Sequence, residues 1–577
     1  MSPIDWIVLA LTLIGIITYG LYKSNTTKNL EGYFLSNRTM PWYLVLLSIM
    51  GTQASAITFL SAPGQAFTDG MRFVQNYFGL PLAMVVLCIT FVPLFARLKV
   101  FTAYEFLEKR FDLKTRTLTS FLFLLQRGLS TGISIYAPSI ILSSLFGWNI
   151  FLTNILMGGL LIIYTVSGGA KAVAYTQQLQ LIIIFIGMFL AGYMIVHLLP
   201  AGIGMSDALK ISGASGKLNV ITTGNNNGSF DWNDKFNIWS GVIGGFFLQL
   251  SYFGADQSQV GRYLTAKNTT ESRLGLLING LVKVPMQFAI LLIGALLFTF
   301  YQFHSPPVFF NRAVEQQALA TPYGDSMVNV QKQYNHLNHA QTQLNLAYLR
   351  AKDAGSPTQV ILYKDSLQQG NGQLDVLRKS YKSYIKKAVP GADNNDTNYI
   401  FLRFVVDYLP VGLVGLLIAI IFLAAWGSIA AALNSLAACT MIDFHLRFKK
   451  GTVAVSEEEA LHYNTSKWYT FGWGIFCIGV AQFANRMGSL IEAVNILGSL
   501  FYGVILGIFL VAFYIKSIGG KAVFWAAIIG EIGVVSLFVL SEHDVIGLSF
   551  LWLNVAGAFF VVMLSTMFEF MIKETTV

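Results

Sequence analysis

The stretch "MGTQASAITFLSAPGQAF", Met50 to Phe67, sits in an apolar segment, yet it is built from Gly51, Thr52, Gln53, Ser55, Thr58 and Ser61, followed by Pro63-Gly64. A membrane helix that breaks here leaves carbonyls without partners. In hydrocarbon each costs several kcal/mol, so a break is tolerated only where the carbonyls meet an ion, water or protein donors. Carbonyls and hydroxyls are hard oxygen ligands, suited to a dehydrated alkali cation. The stretch therefore reads as half of a cation site. Its partner should be another small, hydroxyl-bearing helix packed close by. "FLAAWGSIAAALNSLAACTMID", Phe422 to Asp443, fits, because Ala424 and Ser428 lie four apart on one face.

The rest of the chain supplies the membrane. It is 54% hydrophobic and 12% charged, against about 25% charged in soluble domains. Mean hydropathy is +0.59. Apolar runs of roughly 18 residues or more recur, each long enough to span a bilayer as a helix, and alternating ten-residue strands are absent. This predicts an all-α polytopic protein of the plasma or inner membrane, with the lipid bilayer as its solvent. The net charge of +9 is explained by position rather than by a nucleic-acid partner. Lys23, Lys28 and Arg38 crowd one loop, Arg97 to Arg116 a second, Arg262 to Arg273 a third, and Arg447 to Lys450 a fourth. Placing these loops in the cytoplasm obeys the positive-inside rule. The N-terminus is then outside, the C-terminus inside, and about 13 helices cross. The expected spans are 4–22, 41–69, 74–96, 117–146, 150–168, 177–199, 238–260, 275–303, 404–440, 467–484, 488–514, 522–541 and 547–570. The first lacks a basic flank and a cleavage site, so it reads as a retained helix. Cys88, Cys439 and Cys477 fall in spans and read as buried thiols.

A second polar, Gly-interrupted segment, "GGFFLQLSYFGADQSQVGR" (244–262), comes five spans after the first. Two such helices opening successive sets of five spans fit an inverted-repeat transporter. Close helix packing would explain isolated glycines, but not Gln249, Tyr252, Asp256, Gln257 and Gln259 in one span. The expected organisation is a first helix and cytoplasmic loop (1–40), a first five-helix repeat (41–199), an external loop (200–237), a second repeat (238–514) and two C-terminal helices (515–577). Residues 304–403 interrupt the second repeat. Tyr334, Leu337, Leu344 and Tyr348, and then Leu367, Leu374, Leu377, Tyr381 and Tyr384, have helical spacing, with "DAGSPT" (353–358) as a turn between them. This reads as an external helical hairpin and a surface for an outside partner. His336 and His339 there read as wet surface rather than a metal pair. "FKKGTVAVSEEEALHYNTSK" (448–467) reads as a solvated linker.

Five motifs in fixed order carry a resemblance: "FTAYEFLEKRF" (101–111), "GISIYAPSIIL" (132–142), "YTVSGGAKAVAYTQQLQ" (164–180), "YFGADQSQVGRYL" (252–264) and "AALNSLAACTMID" (431–443). The sequence resembles the sodium/solute symporter family over essentially all of its length except 304–403. The Tyr-Ala-Pro segment resembles the iodide, monocarboxylate and vitamin branch. The resemblance implies a core like that of the leucine transporter. It also implies a sodium ion held by the carbonyls of Gly51, Ala54 and Ala424 and the Ser428 hydroxyl. Two departures stand out. Position 427 is Gly where the family has a second hydroxyl, so a water or the Gln53 amide must substitute. Relatives read Thr-Asp-x-x-Gln where this chain reads Thr176-Gln177-Gln178-Leu179-Gln180, and Ala431 replaces a further hydroxyl. Without that carboxylate a second cation is not neutralised, which predicts one sodium per solute.

Lys283 is the sharpest candidate for the solute. A mid-span lysine costs at least about 2.5–3.5 kcal/mol unless it snorkels or faces a polar cavity. It falls 21 residues after Arg262, the spacing of a sugar-contacting lysine in sodium/sugar symporters. Matched in the same way, Gln249 is a sugar contact and Tyr252 an aromatic inner gate. Thr58, Gln75, Asn76 and Asn495 add polar groups. Arg127 and Glu492 read as members of structural pairs, and Asp256 as either a helix-end group or a functional one. The expected function is sodium-coupled import of a small polar organic solute, first a sugar or polyol, with a monocarboxylate or similar anion as the alternative. A transporter-like solute sensor is the reading from a different class. No phosphate loop, nucleophile elbow or zinc-binding histidine pair points to an enzyme.

Overall fold

Long apolar segments in lipid must satisfy their backbone internally, and helices do so. The computed structural model describes residues 1–23, 29–226, 228–448, 455–484 and 488–574, and they are overwhelmingly helical. Lys28, Lys449 and Lys450 of the basic loops lie outside the described residues. The chain opens with α1 (Pro3–Lys23), then α2 (Trp42–Gln53) and α3 (Ala56–Asp69), which are bent by 59° across Ala54-Ser55. A 3₁₀ turn, Met71–Tyr77, leads into α4 (Leu80–Ile89) and α5 (Phe91–Leu98). Next come α6 (Leu113–Phe146) and α7 (Ile150–His197). The 48 residues of α7 fold back on themselves: the Tyr164 and Thr176 hydroxyls are 2.7 Å apart. A straight helix would separate residues twelve apart by about 18 Å.

The second broken helix is α8 (Gly245–Gly254) with α9 (Gln257–Tyr263), interrupted at Ala255-Asp256. Then come α10 (Thr269–Phe303), α11 (Gly324–Asp353), α12 (Pro357–Ala388), α13 (Leu413–Cys439), α14 (Val455–Ala481), α15 (Leu490–Tyr514), α16 (Gly520–Glu542) and α17 (Phe550–Glu574). Among the described residues, eight helices are long and apolar enough to cross a membrane, nine with the bent pair α2–α3 counted as one. The other four expected spans are helical but fall short of that measure. One is the short Ile150–Val166, one is broken at Ala255-Asp256, and α6 carries a polar stripe. The fourth, α14, starts at Val455 inside the expected linker. Its polar first turns continue the helix, so 455–467 is not linker as expected.

The span containing α13 is 89% buried and the α1 span 17%, which puts α13 at the centre of the bundle and α1 at its edge. Between 304 and 403, α11 and α12 pack on a small core of their own that includes Phe309, Met327, Tyr334, Leu374, Tyr381 and Ile385. Asp396 pins the end of this unit: Arg378 and Lys382 lie 2.7 and 2.6 Å away, and the Phe310 N–H donates to it at 2.9 Å. Burial pushes this carboxyl's pKa up, but the two cations prevail and hold it below the ordinary value.

Candidate functional site

At the first break the helical ladder stops. The Ala54 N–H still reaches the Met50 carbonyl at 2.8 Å, but the Ser55 N–H turns back to Gln53 at 2.9 Å and the Thr58 N–H bonds Ser55 at 3.0 Å. None of these bonds uses the carbonyls of Gly51, Thr52 or Ala54. The break opens on a cavity of about 130 Å³ lined by Thr52, Gln53, Ser55 and, from α13, Ser428. The Ser428 hydroxyl donates back to the Ala424 and Ala425 carbonyls at 3.0 and 3.1 Å, which leaves its lone pairs free. Gln53 lines the same cavity, and its Oε1 is buried with no hydrogen-bond partner.

Four of the expected solute residues, Thr58, Gln249, Lys283 and Asn495, and the expected gate Tyr252 line the same cavity. Lys283 is 1% exposed, its ammonium 5.6 Å over the Tyr77 ring, with no hydrogen bond or ion pair among the described residues. Gln249 Oε1 has no partner, and Asn495 Nδ2 donates to the Ile491 carbonyl at 2.6 Å. The Tyr252 hydroxyl accepts from Gln259 Nε2 at 2.7 Å.

Contrary to expectation, Gln75 and Asn76 do not line the cavity. The Gln75 amide donates to the Phe236 carbonyl at 2.9 Å and accepts from the Thr222 N–H at 3.2 Å, which stitches its segment to the loop before α8. Asn76 is buried away from the cavity, with both amide ends unpaired. Both residues fall in the 3₁₀ segment, which contributes Tyr77 to the lining instead.

The largest omission is α6, which contributes Gln126, Arg127, Ser130, Thr131 and Ser134 to the lining. The signal was legible, because these positions recur at three, four and seven on an otherwise apolar helix. Arg127 bonds Ser258 Oγ, lies 3.6 Å from the Asp256 carboxylate and sits 5.6 Å over the Tyr252 ring. Asp256 itself is saturated: it caps α9 by accepting from the Ser258 N–H (2.8 Å) and Oγ (2.6 Å), and it takes the Tyr502 hydroxyl at 2.6 Å. It does not line the cavity, so the lining holds two cations, Arg127 and Lys283, and no carboxylate. Glu492 lies apart, paired with Lys235 at 2.8 Å and Gln65 at 3.2 Å.

Gln177 is fully buried and joins three helices. Its Oε1 accepts from Ser48 Oγ at 2.8 Å, and its Nε2 donates to Thr52 Oγ1 at 3.2 Å and to the Gly427 carbonyl at 3.0 Å. A side chain at 427 would meet the Gln180 Oε1 at 2.5 Å, so a serine fits there only if that amide swings away.

The family model described as "Sodium:solute symporter family" matches residues 33–304 and 359–530. Its gap, 305–358, is narrower than the 304–403 stretch set apart by pattern. The sodium/sialic acid symporter of Proteus mirabilis is 25% identical over 98% of this chain and 94% of its own length. The sodium-dependent multivitamin transporter of Oryctolagus cuniculus is 26% identical over 88% of this chain, which spans 66% of that relative. The Homo sapiens sodium/iodide cotransporter is 29% identical over 52% of this chain and 45% of its own length. A solved Na⁺-coupled sialic acid symporter, substrate-bound and outward-open, superposes with a TM-score of 0.72 over 98% of both chains at 23% identity, which establishes the shared fold. With that match across most of its length, the chain belongs to the sodium:solute symporter family, a family of multi-pass, sodium-dependent membrane transporters.

Proposed function

We propose that this protein is a sodium-coupled symporter for a small organic anion. The observation that carries the reading is the cavity lining, with Arg127 and Lys283 and no acid. A buried ammonium without a partner is expensive, and a carboxylate arriving beside Lys283 supplies its missing charge, whereas Arg127 already faces Asp256. The volume, about 130 Å³, is below the roughly 300–1,000 Å³ of drug-sized sites and favours a solute of few heavy atoms. The printed names of relatives point the same way: monocarboxylate, iodide and sialic acid are anions. A neutral sugar or polyol is the second reading, supported by the open Gln249 carbonyl and the Asn495 amide beside Lys283.

The sodium site of this reading is Gly51, Ala54, Ala424 and Ser428, with Gln53 Oε1 as an added ligand. The Gln177 amide already occupies the oxygens of Thr52 and Gly427 as a donor, which supports one sodium rather than two. One sodium with a monoanion carries no net charge, so voltage should not drive it. With a neutral solute each 100 mV adds about 2.3 kcal/mol, roughly 50-fold in accumulation. Proteoliposome uptake of labelled monocarboxylates and sugars, with sodium or choline and with or without a potassium-diffusion potential, decides the matter. Sodium-dependent, voltage-insensitive monocarboxylate uptake supports the proposal. Sodium-dependent, voltage-driven sugar uptake would replace it with the second reading.

A further inference from the structure

A second cavity, about 570 Å³, lies behind the first broken helix, between α3, the second half of α7 and α10, with Met205 at one end. Its walls are carbon-rich: Phe59, Met188, Gly192, Met286 and Ile293 line it. Phe185, Phe189 and Tyr193 of the same wall are 41%, 75% and 56% exposed, on a span apolar enough to cross a membrane, so the groove opens to the bilayer. Along α10 its lining runs from Met286 to Leu296, about 15 Å of helix, which equals half the roughly 30 Å hydrocarbon core. Length and chemistry match one acyl chain of one leaflet.

The other face of α3 belongs to the solute. Ile57 and Thr58 line the solute cavity, while their neighbour Phe59 lines the groove. A single helix thickness therefore separates solute from lipid, and that helix is the one freed by the break at Ala54-Ser55. We propose that the groove is a binding site for a phospholipid acyl chain that backs α3 and supports it against the solute cavity. Packing rather than hydrophobic transfer must hold the chain, because the competing medium is itself hydrocarbon. The inference rests on the membrane fold and stands whichever solute is carried.

The test uses the full-length protein in phosphatidylcholine vesicles that contain a phosphatidylcholine with a diazirine in its acyl chain. After illumination, labelled peptides are mapped by mass spectrometry. Met188, Met286 and Ile293 should be labelled at least about threefold more than the outward-facing Ile532 and Phe559. Gly192→Leu should remove that excess; a Cβ there meets only Ile293 Cγ1, at 3.6 Å, so the side chain enters the groove without a clash. Ala289→Phe fills the same groove from α10 and should act alike. Labelling at the level of Ile532 in the wild type, or an excess that survives both substitutions in folded protein, overturns the proposal. So does displacement of the label by a free sterol but not by unlabelled phosphatidylcholine.

Discussion

The two broken helices solve one problem in opposite ways. At Ala255-Asp256 the break is closed from within: the Asp256 carboxylate caps α9, takes the Tyr502 hydroxyl and faces Arg127. At Ala54-Ser55 no side chain caps the new helix, and the turn bonds around the break leave the Gly51 and Ala54 carbonyls unused. Both lie in a low-dielectric interior where an unmet polar group costs several kcal/mol. A break closed by a carboxylate stands by itself. One left open needs an ion, water or protein donors, which supports the proposal that the cation sits at the first break.

The sharpest way to break the contrast is Asp256→Ala. It strips the cap and strands Arg127, which should cost about 3–5 kcal/mol. Thermal unfolding in detergent should show a large loss, whereas Ser428→Ala at the open break should barely move the midpoint. Equal losses would mean that both breaks are structural. Lys283→Ala comes next, with solute affinity expected to fall roughly 10- to 150-fold through loss of a charged hydrogen bond of about 1.5–3 kcal/mol, while sodium binding persists. Isothermal titration with solute and with sodium separates the two effects, and a lysine that only snorkels would leave both unchanged. Ser428→Ala should raise the sodium concentration for half-maximal uptake about 2- to 12-fold, the worth of a hydrogen-bond-like ligand of about 0.5–1.5 kcal/mol. Unchanged sodium activation would sink that assignment. Gln177→Asp sharpens the comparison from the side of charge. If the carboxylate recruits a second sodium, uptake of a monoanion becomes voltage-driven by one charge; continued indifference to voltage would mean the neighbouring oxygens cannot hold it. The smallest effect should come from Lys235→Ala. Its pair with Glu492 is half-exposed on the lysine side, and such pairs are worth about 0–1 kcal/mol, so uptake should change less than about fivefold.

Much of the site was legible because it depends on what hydrocarbon forbids. Polar residues in apolar segments are costly wherever they occur, so Gln53, Thr58, Gln249, Lys283 and Ser428 announced themselves, and all line the cavity. Arg127 reads as half of a structural pair, and Asp256 at 3.6 Å is that partner; that the arginine also lines the cavity depends on three-dimensional neighbours. Gln75 and Asn76 are expected at the cavity but lie off its lining, in a 3₁₀ segment whose period composition hardly distinguishes from α. The start of α14 was missed for a related reason: "VSEEEALHYNTSK" is polar enough for a linker, yet it continues a membrane helix into water.

Hydropathy and the positions of polar residues determined by themselves that this chain is helical, lives in a membrane and interrupts two of its helices. Those conclusions follow from local free-energy costs that hold for any arrangement of neighbours. Which break is open, which cation is unpaired, and what Gln177 holds depend on atoms more than a hundred residues apart meeting within about 3 Å, as Gln177 does with Ser48 and Gly427. Hydrogen bonding acts only at contact and charge compensation weakens with distance, so tertiary packing decided them.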